Sequence, residues 1–259
     1  MADGSTSAAP ERVLVAIPTY NEAENIEEIV RRLRAAAPGV DVLVLDDGSP
    51  DGTGELADAL AADDPQVHVM HRTAKEGLGK AYLAGFAWAF EHGYDAVCEM
   101  DADGSHQPEQ LPSLIARLDD PDVSVVLGSR WVPGGRVENW PWHRLVLSRG
   151  GSLYARLALG LGVRDVTGGY RVYRCDALRP LVSDGIESAG YCFQIDLVRR
   201  AVAAGETVVE VPITFVERVR GESKMSGRIV QEAMLRVTVW GGQRVATGVR
   251  GLVGKGRAA

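Results

Sequence analysis

Between Val13 and Ser129 the chain alternates short apolar, β-branched runs with longer amphipathic stretches, and this rhythm restricts the fold more than any other feature. The runs are Val13 to Pro18, Val40 to Asp46, Val67 to His71, Ala96 to Asp101 and Val123 to Ser129, each followed by turn-forming or polar residues. Such spacing predicts βαβ units, and so an α/β fold with a mostly parallel twisted sheet flanked by helices. In sheets of this kind ligand chemistry gathers at the C-terminal ends of the strands.

The first helix is expected directly after Thr19-Tyr20-Asn21, with Asn21 and Glu24 at capping-box spacing, and to end at Pro38-Gly39. Another should start at Pro108 and run through Leu118. After Ser129 the texture changes to Gly, Pro and Trp, then Arg144 to Leu161 reads as helix; this half is expected to build the acceptor side. Beyond Ser226 an amphipathic helix is expected to be weakened at Gly241-Gly242. A chain of 259 residues, 46% hydrophobic, fits one catalytic domain over residues 13–225, preceded by a disordered lead-in (1–12) and followed by a basic tail (226–259).

Three scattered cysteines without C-x-x-C spacing suggest neither disulfides nor zinc and fit a reducing cytoplasm. The N-terminus lacks the apolar core of a signal peptide, and no run of about 18 apolar residues could cross a bilayer. The net charge of −7 conceals an asymmetry: Arg218 to Ala259 carries nine Lys or Arg against two Glu. That segment either faces water or meets an anionic surface. No nucleic-acid partner is expected.

Asp101-Ala102-Asp103 ends the fourth run, where two carboxylates can share a hard divalent cation and leave the remaining coordination to water and a diphosphate. Away from a strand end, the same triplet would read as a helix-capping turn. Asp46-Asp47 ends the second run, placed to accept hydrogen bonds from a base or ribose, although a solvated turn is the plainer reading of Asp46. The first turn, PTYNEAEN, has no glycine, which disfavours a nicotinamide enzyme. Arg130, Arg218 and Lys224 supply cations suited to a departing diphosphate.

Taken in order, IPTYNEAENI, VLDDGSPDGT, KEGLGKA, MDADGSHQPE, GSR and RGESK resemble the family-2 glycosyltransferases with a GT-A, Rossmann-like fold, most closely the dolichol- or polyprenol-phosphate mannose synthases. The likeness covers nearly the whole folded chain. It implies that Pro18, Tyr20, Glu22, Leu45 and Asp47 hold the nucleotide, and that Asp101, Ala102 and Asp103 line the nucleotide-sugar site, with Asp101 and Asp103 binding Mg2+ or Mn2+. It further implies that Arg130, Arg218 and Lys224 grip donor phosphates, Arg130 joining the two aspartates as catalytic, and that Arg144 and Ser148 receive the acceptor's phosphate. Where some relatives carry a metal-binding Gln two positions after D-x-D, this chain has Ser105, so water is expected there.

The implied reaction is inverting transfer of mannose from GDP-mannose to a polyprenyl phosphate. The implied setting is peripheral, on the inner face of the cytoplasmic membrane, with a separate integral-membrane partner as in the actinobacterial branch. The alternatives are the same fold with UDP-glucose or another donor, or a saccharide acceptor, which would need a base such as Asp196 or Asp165. A nucleotidyltransferase would need a glycine-rich, arginine-bearing loop after the first strand, and none is present. A non-catalytic binding subunit would have no use for an intact D-x-D.

Overall fold

The computed structural model describes residues 9–186, 191–218 and 227–255. In chain order, β1 (Val13–Thr19), α1 (Ile26–Ala36), β2 (Asp41–Asp46), α2 (Thr53–Asp63), β3 (Val67–His71), α3 (Leu78–Glu91) and β4 (Ala96–Glu99) form the first half of the sheet. Next come α4 (Leu111–Ile115), β5 (Val123–Ser129), β6 (Arg136–Glu138), α5 (Trp142–Leu159) and β7 (Arg171–Arg174). The chain continues through α6 (Cys175–Val182), α7 (Tyr191–Ala204), β8 (Thr207–Pro212), β9 (Thr214–Val216) and α8 (Gly227–Lys255).

Seven strands pair in the order β3-β2-β1-β4-β7-β5-β8, and β6 pairs with β9 in a separate two-stranded ribbon. The five expected strands are all present and all parallel, while β7 enters antiparallel between β4 and β5. Alternation along each strand fills two cores. Val13, Val15 and Ile17 of β1 face the layer holding α1 and α4, while Leu14 and Ala16 face α3, α6 and α7. Both faces being covered explains why the strands read as continuous apolar runs.

Several boundaries differ from expectation, each for a local reason. α1 starts at Ile26 rather than beside Asn21, whose φ of 57° lies in the left-handed region, so the capping box does not form. Residues 21–23 instead spend their amides on the neighbouring loop: Asn21 donates to Ser49 Oγ (3.1 Å), Glu22 to Thr53 Oγ1 (2.9 Å) and Ala23 to Asp51 Oδ2 (3.1 Å). The stretch from Pro108 to Asp119 is a 3-10 turn, the short α4 and a second 3-10 turn, yet Leu111, Leu114 and Leu118 still face the core.

α8 runs unbroken through Gly241-Gly242. A Cβ at Gly241 would lie 3.1 Å from the Ala158 carbonyl oxygen, so the glycine permits close approach of α5 and does not break the helix. At the N-terminus, the amides of Glu11 and Arg12 donate to the Asp95 carboxylate, tying the end of the lead-in to the fold. No helix among the described residues is long and apolar enough to cross a membrane.

Candidate active site

The C-terminal ends of β1, β2 and β4 stand side by side, and the loops that follow them carry the candidate residues. On the β2 side Asp46 is buried, not a solvated turn: its carboxylate accepts from the Ser49 hydroxyl (2.5 Å) and lies 3.4 Å from Thr19 Oγ1. Asp47 is equally enclosed and pairs with the half-buried Arg72. Burial pushes the Asp47 carboxyl up, against the opposing pull of Arg72. Pro18 and the buried Leu45 occupy the adjacent ends of β1 and β2, paired in register. Tyr20 follows, with Lys75 Nζ 4.0 Å from its ring centroid. The Glu22 carboxylate turns back to accept from Asn25 Nδ2 (2.8 Å).

β4 stops at Glu99, two residues before its expected end, and this releases the acidic triplet into a loop. Ala102 is buried, holding the loop down between the two carboxylates. Asp101 takes a 3.3 Å hydrogen bond from the Tyr82 hydroxyl, and its amide donates to His106 Nδ1 (3.0 Å). Asp103 accepts from the Ser105 amide (3.0 Å) and lies 2.9 Å from Arg218 Nη2. Burial raises the Asp101 carboxyl; His106 and Arg218 oppose the rise and Asp103 adds to it. A divalent cation placed between these two carboxylates would offset the burial that raises Asp101. Among the described residues there is no cluster of three or more His, Cys, Asp or Glu.

The cations are less available than sequence suggests. Arg130 is 6% exposed and forks onto Asp165, which is fully buried, with contacts of 2.7 and 2.6 Å; it also reaches Thr167 Oγ1 at 3.1 Å. The rings of Trp131, Trp140 and Phe215 surround its guanidinium at 5.1 to 5.5 Å. Arg144, at the start of α5, pairs with Glu217 and lies 4.3 Å from the Trp140 centroid. Ser148 is half-buried one helical turn further on. Lys224 and the rest of RGESK lie outside the described residues.

Of the residues weighed as bases, Asp165 is held by Arg130 and Asp196 by Arg199 (2.6 Å) and Arg200 (3.2 Å). Arg171, which follows Gly169-Tyr170, is fully buried and donates to the carbonyls of Gly168, Val166 and Gln194, a structural role.

Sequence reasoning passed over His106, Tyr82, Arg72 and Glu217. His106 is buried, stacked on Tyr170 with 4.8 Å between centroids, and burial lowers its pKa. Its position three residues after D-x-D was the available signal. Glu99, directly beneath the triplet, is fully buried, and Oε1 finds no partner among the described residues. Its carboxyl is pushed up to about 8 by desolvation, which Arg171 opposes.

The model of glycosyl transferase family 2 matches residues 14–182. The undecaprenyl-phosphate mannosyltransferase of Micrococcus luteus is 59% identical over 89% of this chain and 94% of that protein. The polyprenol monophosphomannose synthase of Mycolicibacterium smegmatis is 54% identical over 97% of this chain and 95% of its own length. Among solved structures, glucosyl-3-phosphoglycerate synthase from Mycobacterium tuberculosis, bound to Mn2+, UDP and glucosyl-3-phosphoglycerate, superposes with a TM-score of 0.62. It is 20% identical, covering 88% of this chain and 77% of that one, a likeness of fold alone. The sheet is thus that of a GT-A enzyme, and the chain belongs to glycosyl transferase family 2, alongside relatives named as polyprenol-phosphate mannosyltransferases.

Proposed function

We propose that the chain transfers mannose from GDP-mannose to a polyprenyl phosphate, releasing GDP. The carrying observation is the half-buried Asp101–Asp103 pair, held beside the ends of β1 and β2 with Arg218 against it. The relatives at 54 and 59% identity, named for polyprenol and undecaprenyl phosphate, support the acceptor class.

Pro18, Tyr20, Glu22, Leu45 and Asp47 would line the nucleotide, with Arg72 fixing the Asp47 carboxylate. A divalent cation, Mg2+ or Mn2+, held by Asp101 and Asp103 would neutralise charge growing on the leaving diphosphate. Arg218, and Lys224 from the segment beyond, would face that diphosphate, and Arg130 would shape the wall beneath it. Arg144 and Ser148 would hold the acceptor's phosphate, one of whose oxygens attacks the anomeric carbon as the bond to the diphosphate oxygen breaks. Configuration inverts, and the bonding electrons leave with GDP. A phosphate monoester has a second pKa near about 6 and is already anionic at neutral pH, so no strong base is needed. The engagement of Asp165 and Asp196 in ion pairs counts against the saccharide acceptor that would require one.

A lipid acceptor requires a membrane-facing surface, and α5 and α8 offer one. They pack together through Tyr154 and Thr238 (2.7 Å between hydroxyls) and leave Trp142, Val146, Leu147, Leu153, Leu157, Met234, Leu235 and Val239 exposed. Exposed apolar side chains of this size, with Arg149 on the same helix, suit the headgroup region of an anionic bilayer. The reading is therefore a peripheral enzyme on the inner face of the cytoplasmic membrane, where an integral-membrane partner would meet the same helices.

The test is transfer from radiolabelled GDP-mannose to a short polyprenyl phosphate, with and without Mg2+ or Mn2+, with UDP-glucose as competing donor. Metal-dependent labelling by mannose alone is expected; labelling from UDP-glucose alone would overturn the donor.

A further inference from the structure

Glu217 and Arg218, adjacent in sequence just past β9, are bound to different parts of the site. The Val216 amide donates to Ser105 O (3.2 Å) and the Glu217 amide to Glu138 O (3.0 Å), pinning the segment between the D-x-D loop and β6. From there the side chains part. Arg218 reaches Asp103 at 2.9 Å, and the Glu217 carboxylate accepts from Arg144 Nη1. The side chains of Arg144, Glu217, Arg218 and Asp103 are 17, 24, 19 and 8% exposed, sheltered enough that each depends on its counter-charge.

We propose that Glu217 occupies Arg144 as an internal stand-in for the acceptor's phosphate, and that the Glu217–Arg218 pair ties its release to loading of metal and donor. The inference rests on the reading of Asp103 as a metal ligand and Arg144 as the acceptor-phosphate contact. A carboxylate and a phosphate monoester are both oxyanions that fit the fork of a guanidinium, and the second carries about −1.5 to −2 charges at neutral pH. The two repel and cannot share Arg144. A cation at Asp103 competes with Arg218 for the same carboxylate, and the diphosphate arriving with it gives Arg218 a new partner. One peptide unit joins Arg218 to Glu217, so turning the first disturbs the grip of the second on Arg144. The consequence is ordered loading, with the donor bound before the lipid phosphate is accepted.

The experiment is calorimetric titration of farnesyl phosphate, a short polyprenyl phosphate, into the full chain and its Glu217→Gln and Arg144→Met variants, each with and without Mn2+ plus GDP. The unsubstituted chain should bind about fivefold more tightly once loaded, and Glu217→Gln should bind with the loaded affinity in both conditions. Affinity independent of loading in the unsubstituted chain, or a Glu217→Gln variant no tighter than it, overturns the proposal. Arg144→Met should weaken binding throughout. If it leaves affinity unchanged, the acceptor-site reading itself fails; if it weakens binding while Glu217→Gln brings no gain, only the stand-in role fails. Glu217→Ala must show the same gain as Glu217→Gln, which guards against an effect peculiar to the amide.

Discussion

Around the ends of β1, β2 and β4 the polar groups are tied to one another, whereas α5 and α8 leave large apolar side chains in water. Asp46, Asp47, Asp101 and Asp103 each have a hydrogen-bond or ion-pair partner. Trp142 is 76% exposed and Leu157 69%. The first region is organised in advance of any ligand, as a site that must stabilise developing charge should be. The second keeps apolar area in reserve, which only a further surface can bury.

The largest expected effect tests the first region. Asp101→Ala or Asp103→Ala should lower transfer by about a thousandfold or more without shifting the unfolding midpoint downward. A folded variant with full rate would remove the metal assignment. Asp165→Ala, which removes the buried carboxylate that the Arg130 guanidinium forks onto, should cost on the order of 3 kcal/mol in denaturant unfolding. A loss below about 1 kcal/mol would mean that Arg130 finds another anion or reaches water.

Glu99 marks the cost of burial beneath these strand ends. Its native carboxyl holds a proton to about 8 where the ordinary value is 4.5, so the stability it supports is full below pH 4.5 and is lost as pH rises to about 8. Glu99→Gln should therefore raise the unfolding midpoint by a few degrees at pH 8 and leave it unchanged at pH 4.5. An equal shift at both pH values would contradict the buried, protonated carboxyl.

For the second region, Leu157→Glu should weaken binding to anionic phospholipid vesicles by about tenfold, with transfer to a water-soluble acceptor intact. Unchanged vesicle binding would move the docking surface elsewhere. The smallest effect separates two adjacent glycines of α8. Gly242→Ala, with open space around it, should stabilise by about 0.5–1 kcal/mol through helix propensity, whereas Gly241→Ala should gain nothing because its methyl meets α5. Equal gains at both positions would show that the two helices pack more loosely than the structure has them.

The same contrast separates what was legible in the sequence from what was not. The strand ends and the loops carrying Asp47 and Asp101 could be read because a parallel sheet converts local periodicity into position. The partners could not. Asp165 lies 35 residues beyond Arg130, Glu217 lies 73 beyond Arg144, and no local pattern announces either pairing. The capping spacing puts the start of α1 too early because residues 21–23 bind the Ser49–Thr53 loop instead, a tertiary demand that overrides a capping motif. The break at Gly241-Gly242 was expected on intrinsic propensity, which cannot register the approach of α5.

The antiparallel strand β7 has a consequence for synthesis. β4 and β5 follow one another in sequence but meet only through β7, where Arg171 pairs with Glu99 on one side and with Leu127 on the other. As the chain leaves the ribosome, the strand that leads into the acidic triplet therefore waits with an unpaired edge until about the time residue 174 emerges. Fragments that stop before residue 171 would carry most of the family-defining motifs and still expose that edge, a template for joining the wrong chain.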